Sequence, residues 1–95
     1  MITIKITDHS ICMNGHACQK SPDGIDRACA AVSALTCNLI NSLEDLTGDR
    51  IRAETASEMT VIEWEDLSDG GKLLVDSWFL GIAVIDQEYN CIQFE

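Results

Sequence analysis

Ile25, Ala28, Cys29, Val32, Leu35, Thr36, Leu39, Ile40, Leu43 and Leu46 recur at spacings of three and four, and no other feature constrains the fold of this chain as much. At 3.6 residues per turn these side chains stack along one face of a helix. Gly48 stands where such a helix can close, because a left-handed closing residue costs glycine no Cβ clash. A helix with a single apolar face needs an opposing apolar surface, and the start of the chain supplies one. Ile2, Ile4 and Ile6 alternate with Thr3, Lys5 and Thr7, the period-two pattern of a half-buried strand.

Asp8-His9-Ser10 predicts a turn, with Ile11 to about Ala17 returning as the second arm of a hairpin. On that arm Ile11 and Met13 share one face and Cys12, Asn14 and His16 the other. Residues 19–24, Gln-Lys-Ser-Pro-Asp-Gly, carry the only proline and predict an exposed, mobile loop between His16 and Cys29. Residues 51–56 and 60–66 predict two strands joined near Ser57-Glu58. Leu73, Leu74, Trp78, Ile82, Ile85 and Tyr89 trace a second helix, which Asn90 can end, leaving Cys91 to Phe94 as a short last strand. The expected architecture is α+β: two helices packed on one face of a small, mostly antiparallel β-sheet, in a single domain over residues 1–95. Trp64, Trp78, Phe79 and Phe94 are expected in the core or at a subunit contact.

Sixteen acidic against six basic side chains give a net charge of −10, which repels phosphate backbones and anionic membranes and argues against either as a partner. Such acidity favours solubility and attracts basic peptide. No stretch reaches the roughly 18 to 20 apolar residues of a membrane span, and the alternating start lacks a signal-peptide core, so a cytoplasmic protein is expected. Five cysteines, an odd number, fit a reducing compartment with free thiols. Cys37 and Cys91 lie in apolar patterns and are expected as small core residues.

Cys29 falls in the first turn of the long helix, where backbone N–H groups and the helix dipole stabilise a thiolate. His16, thirteen residues earlier, can take the thiol proton and later give it to a leaving amine, the division of labour in cysteine-dependent acyl transfer. Amides near residues 28–30 are expected oxyanion donors. Asp26 has two readings, as the helix N-cap or as the carboxylate that orients His16. Asp26 opposes a Cys29 thiolate and Arg27 favours one.

Gly15-His16-Ala17, then Gly24-Ile25-Asp26, then Cys29-Ala30-Ala31-Val32-Ser33-Ala34-Leu35 resemble the signature of the ribosomal-processing cysteine proteases, the Prp family. Met1 to Ile4, Asn41 and Glu88-Tyr89-Asn90 extend the resemblance over essentially the whole chain. It implies a cytoplasmic, homodimeric endopeptidase that removes a short N-terminal extension from a large-subunit ribosomal protein, without cofactor or metal. His16 and Cys29 match the family's catalytic dyad, Gly15 and Gly24 match glycines flanking the site, and Asp26 and Ser33 match supporting positions. Gly24 matches a glycine in a loop that moves for substrate access. The segment from His16 to Cys29 is one residue longer than the common family pattern, Arg27-Ala28 replaces a usual apolar pair, and residues 51–68 are compressed.

Two other readings compete. Cys12, His16, Cys18 and Cys29 are suitable zinc ligands, although their spacing is not a common paired-ligand pattern. An inactive homologue with the altered loop would serve as a binding module, its acidic surface holding a basic ribosomal-protein segment without cutting it.

Overall fold

The structure, a computed structural model, describes residues 1–17 and 21–95. The elements are β1 (Ile2–Ile6), β2 (Ser10–Gly15), α1 (Arg27–Ser42), a π-helical turn (Leu43–Thr47), β3 (Ile51–Ala56), β4 (Met59–Trp64), α2 (Asp69–Tyr89) and β5 (Ile92–Phe94). The strands form one sheet in the order β3-β4-β2-β1-β5. Three pairs are antiparallel, and β5 runs parallel to β1. This is the expected α+β, mostly antiparallel arrangement.

Topology explains why both helices share a face. The antiparallel pairings leave β3 running in the direction of β2, with β4 between them, so α1 spans a split crossover. The chain from β4 through α2 to β5 is a second one, straddling β2 and β1. Each crossover lays its helix across a sheet face. The face covered carries Ile2, Ile4, Ile11, Met13 and Ile62, all buried. Strand register aligns them: Ile4 stands opposite Met13, and Ile11 opposite Ile62. From the helices, Ala28, Val32, Thr36 and Leu39 of α1 and Trp78, Ile82 and Ile85 of α2 close the core. The helices approach closely where Gly81 faces Leu35, since a Cβ at Gly81 would lie 2.8 Å from Leu35 Cδ1.

Several expectations are corrected. Ile25 is exposed because the helix begins after it, with Asp26 as N-cap. Cys37 is exposed rather than core. The buried stripe runs 28, 32, 36, 39, 43, and Cys37 lies one residue, about 100° of helix, off it. Leu46 is exposed because the wider π-helical turn breaks the register after Leu43, before Gly48 closes the segment with φ 69°. Leu73 also faces solvent, off the buried stripe of α2. Trp78 is buried and Trp64 partly so, while Phe79 and Phe94 pair at the surface with ring centroids 5.3 Å apart. Cys91 is buried, as expected. Among the described residues no helix is long and apolar enough to cross a membrane.

Candidate active site

β2 ends at Gly15, earlier than expected, and the ending is built from backbone. Gly15 has φ +99°, a conformation that side chains disfavour, and a Cβ there would lie 2.6 Å from the Met1 carbonyl oxygen. The strand's alternation therefore stops at Gly15, so the two-face argument does not extend to His16. Gly15 N–H donates to the carbonyl of Glu58 at 3.0 Å, fastening the β3–β4 turn to the end of β2. Ala17, two residues on, is buried.

Asp26 Oδ1 accepts the backbone N–H of Cys29 at 3.0 Å, which makes Asp26 the N-cap of α1 and puts Cys29 in its third helical position. Ala30 N–H donates to the Asp26 carbonyl at 3.1 Å. The amides of 29 and 30, expected as oxyanion donors, are thus engaged within the helix start. Ala17 N–H instead points at the sulfur, donating to Cys29 Sγ at 3.1 Å. That bond brings the segment carrying His16 onto the thiol of α1. Cys29 is partly buried against the core, near the positive end of a 16-residue helix.

The His16 ring meets a carboxylate the sequence did not single out. Nε2 lies 3.0 Å from Glu58 Oε1. Both side chains are more than half exposed, at 57% and 56%. Ala56 and Met59 are register partners, so Ser57-Glu58 is a two-residue hairpin turn, with φ 44° at Ser57. No local motif links residue 58 to residue 16. Only the pairing of β4 with β2 does, and that pairing is not legible from either strand alone.

Around the helix start, Arg27 pairs with Asp23 at 2.8 Å and donates to Ser21 Oγ at 2.6 Å. Ser21 Oγ also bonds Asp23, and Ile25 N–H donates to Asp23 Oδ1 at 3.1 Å. Arg27 first, then Ser21 and the Ile25 amide, hold the Asp23 carboxyl down at about 2. Residues 21–27 are therefore a hydrogen-bonded turn, with Gly24 at φ +81° in open space. The expected mobile loop falls partly on Gln19 and Lys20, outside the described residues. Ser33 is exposed on α1, one turn after Cys29.

The remaining described cysteines sit in settings unlike that of Cys29. Burial first, then Asp86 and the nearby Cys29 and Asp26, push the Cys91 thiol up, so it stays protonated at neutral pH. Cys12 alternates with buried Ile11 and Met13, which turns it to the sheet face opposite α1. Cys18, the other thiol of the zinc reading, lies outside the described residues. Among the described residues no three His, Cys, Asp or Glu side chains gather to hold a metal ion. The second histidine, His9, bonds the Glu65 carbonyl at 2.9 Å just beyond the opposite end of β2. A depression of about 810 Å³ lies at that same end, lined by His9, Arg50, Arg52 and Trp64, and includes none of His16, Cys29 or Glu58.

Comparison with known proteins adds to this geometry. The sequence pattern of the family described as cysteine protease Prp matches residues 1–92. The crystal structure of an essential ribosomal processing protease Prp from Staphylococcus aureus, in complex with a covalently linked product peptide, is similar at a TM-score of 0.87 and 27% identity. The match covers 100% of this chain and 98% of that one. A structure of the S. aureus protease with a substrate peptide has a TM-score of 0.80 at 22% identity, covering 99% and 95% of the two chains. A Streptococcus mutans protein has a TM-score of 0.77 at 24% identity, covering 99% and 90%. The last two show likeness of fold. No curated protein sequence matches the chain at a significant level.

Proposed function

The chain belongs to the cysteine protease Prp family and is a cysteine protease, and from that premise we propose that it is an endopeptidase acting through Cys29 and His16 on the N-terminal extension of a large-subunit ribosomal protein. The observation that carries the reading is the 3.1 Å hydrogen bond from Ala17 N–H to Cys29 Sγ, which holds the residue after His16 against the sulfur.

In this mechanism His16 accepts the Cys29 thiol proton, and the resulting thiolate attacks the scissile carbonyl carbon. The α1 dipole and the Ala17 amide favour negative charge on sulfur before attack. Once the C–S bond forms, the charge moves to the carbonyl oxygen, two bonds from sulfur. Ala17 N–H, already aimed at the sulfur, is the donor we assign to that oxygen, since the Cys29 and Ala30 amides are engaged in the helix start. Collapse breaks the C–N bond, and His16 returns the proton to the departing amine. Water, deprotonated by His16, then hydrolyses the thioester and restores the thiol.

Gly15 and Gly24 shape the chain on either side of this site, Asp26 caps the helix that presents Cys29, and Ser33 stands one turn further on. The net charge of −10 supports a basic substrate segment. A homodimer working in the cytoplasm is part of the same reading. It is supported by an apolar stripe on the outer side of α2, where Leu73, Leu80 and Val84 are 69%, 67% and 62% exposed.

Incubation with a ribosomal protein carrying its N-terminal extension should yield a trimmed product, followed by mass. Cys29→Ala should abolish trimming, and equal trimming by that variant would overturn the assignment.

A further inference from the structure

Glu58 meets the His16 segment at two points. Its carbonyl accepts Gly15 N–H at 3.0 Å, and its Oε1 lies 3.0 Å from His16 Nε2, across a separation of 42 residues. The contact is therefore more than a chance meeting of two exposed side chains. The turn is fastened by main chain to the residue next to the histidine, which leaves the Glu58 and His16 side chains to close the contact. The turn itself is short: Ala56 pairs with Met59, and Ser57 carries the positive φ that lets two residues close the hairpin.

We infer that Glu58 is the positioning residue for His16. A carboxylate only accepts hydrogen bonds, so its contact with Nε2 requires the proton of the neutral ring to sit on Nε2. The lone pair is then on Nδ1, which becomes the nitrogen that takes the proton from Cys29. Glu58 takes no part in the proton transfer and faces the imidazolium once that forms. The inference rests on the reading of His16 and Cys29 as the reacting pair. It adds a carboxylate from a distant hairpin, distinct from Asp26, which caps α1.

Three measurements on Glu58→Ala and Glu58→Gln test it. The first is kcat and KM for a ribosomal peptide bearing the extension. The second is the rate of iodoacetamide alkylation at Cys29, followed by peptide mass, which needs no substrate. The third is the His16 tautomer, read from ring nitrogen shifts. Glu58→Ala should lower kcat by about tenfold to a hundredfold with KM little changed, slow Cys29 alkylation, and shift the ring away from the Nε2–H tautomer. Glu58→Gln, which keeps a carbonyl acceptor, should recover part of each loss. In a His16→Ala background, Glu58→Ala should slow alkylation no further.

A rise in KM with kcat unchanged would overturn the inference and make Glu58 a substrate contact. An unchanged tautomer and alkylation rate in Glu58→Ala would overturn it as well. Failure of the wild type to cut any ribosomal peptide, with tautomer and alkylation still governed by Glu58, would count against the proposed substrate and in favour of the positioning role.

Discussion

Thr36 is the buried polar side chain of the core among the described residues, 5% exposed, and its hydroxyl both donates and accepts. Its hydroxyl donates to the Val32 carbonyl at 2.8 Å and accepts the indole N–H of Trp78 at 3.1 Å, joining α1 to α2. Thr36→Val keeps the volume and leaves that indole N–H buried without its acceptor. The cost should be about 1 to 3 kcal/mol, read as a lower urea midpoint with an unchanged m-value. Residues of this kind mark where sequence reasoning stops. Spacing alone places Thr36 on the apolar stripe, and nothing in the chain announces that Trp78 needs it. The site shows the same division: His16 and Cys29 stand in recognisable strings, whereas Glu58 and the Ala17 amide acquire meaning only from contacts made in the fold.

At the scale of elements, the join between the π-helical turn and α2 depends on one carboxylate. Asp49 accepts from Thr47 Oγ1 at 2.8 Å, from Ser68 N–H at 3.1 Å and from Ser68 Oγ at 2.8 Å, while Ser68 Oγ caps α2 by accepting Gly71 N–H at 3.0 Å. Thr47 and then Ser68 hold the Asp49 carboxyl below its usual 3.8, and Asp23 beside α1 is held at about 2. Because both folded values lie below the unfolded one, their stabilisation is fully present above 3.8. It is lost as pH falls through the folded values, toward about 2 for Asp23. Asp23→Asn with Asp49→Asn should therefore lower stability at neutral pH and flatten its decline between roughly pH 5 and pH 2, as followed by thermal unfolding across that range. The helices and the alternating strands were legible because burial on one side imposes a period. The departure at Leu46 was not, since a π-helical turn keeps the residue types of an α-helix and changes only their angular step.

For the whole molecule, the informative surface is the outer side of α2. Trp78, Ile82 and Ile85 enter the core from one side of this helix, while Leu73, Leu80 and Val84 emerge on the opposite side. An amphipathic helix needs only the first set, and the second is an apolar face without a cover in the single chain. On the proposed homodimer, Leu80→Asp should give a monomer by light scattering while the far-ultraviolet spectrum is retained. A dimer that survives the change would place the interface elsewhere.

The hairpin arm that carries Glu58 has a consequence of its own. From Arg52 to Met59 every residue is exposed, and of this arm only Ile62 is fully buried. Only β3 is an edge strand, and it can fray at far lower free energy than the core needs to unfold, whereas β4 is paired on both sides and anchored by buried Ile62. The Glu58 end of the turn stays with β4 and β2 through the Gly15 bond, so the His16 partner is kept in place when that edge frays. Motion at the margin of the sheet and the geometry at His16 are thereby separated by one strand.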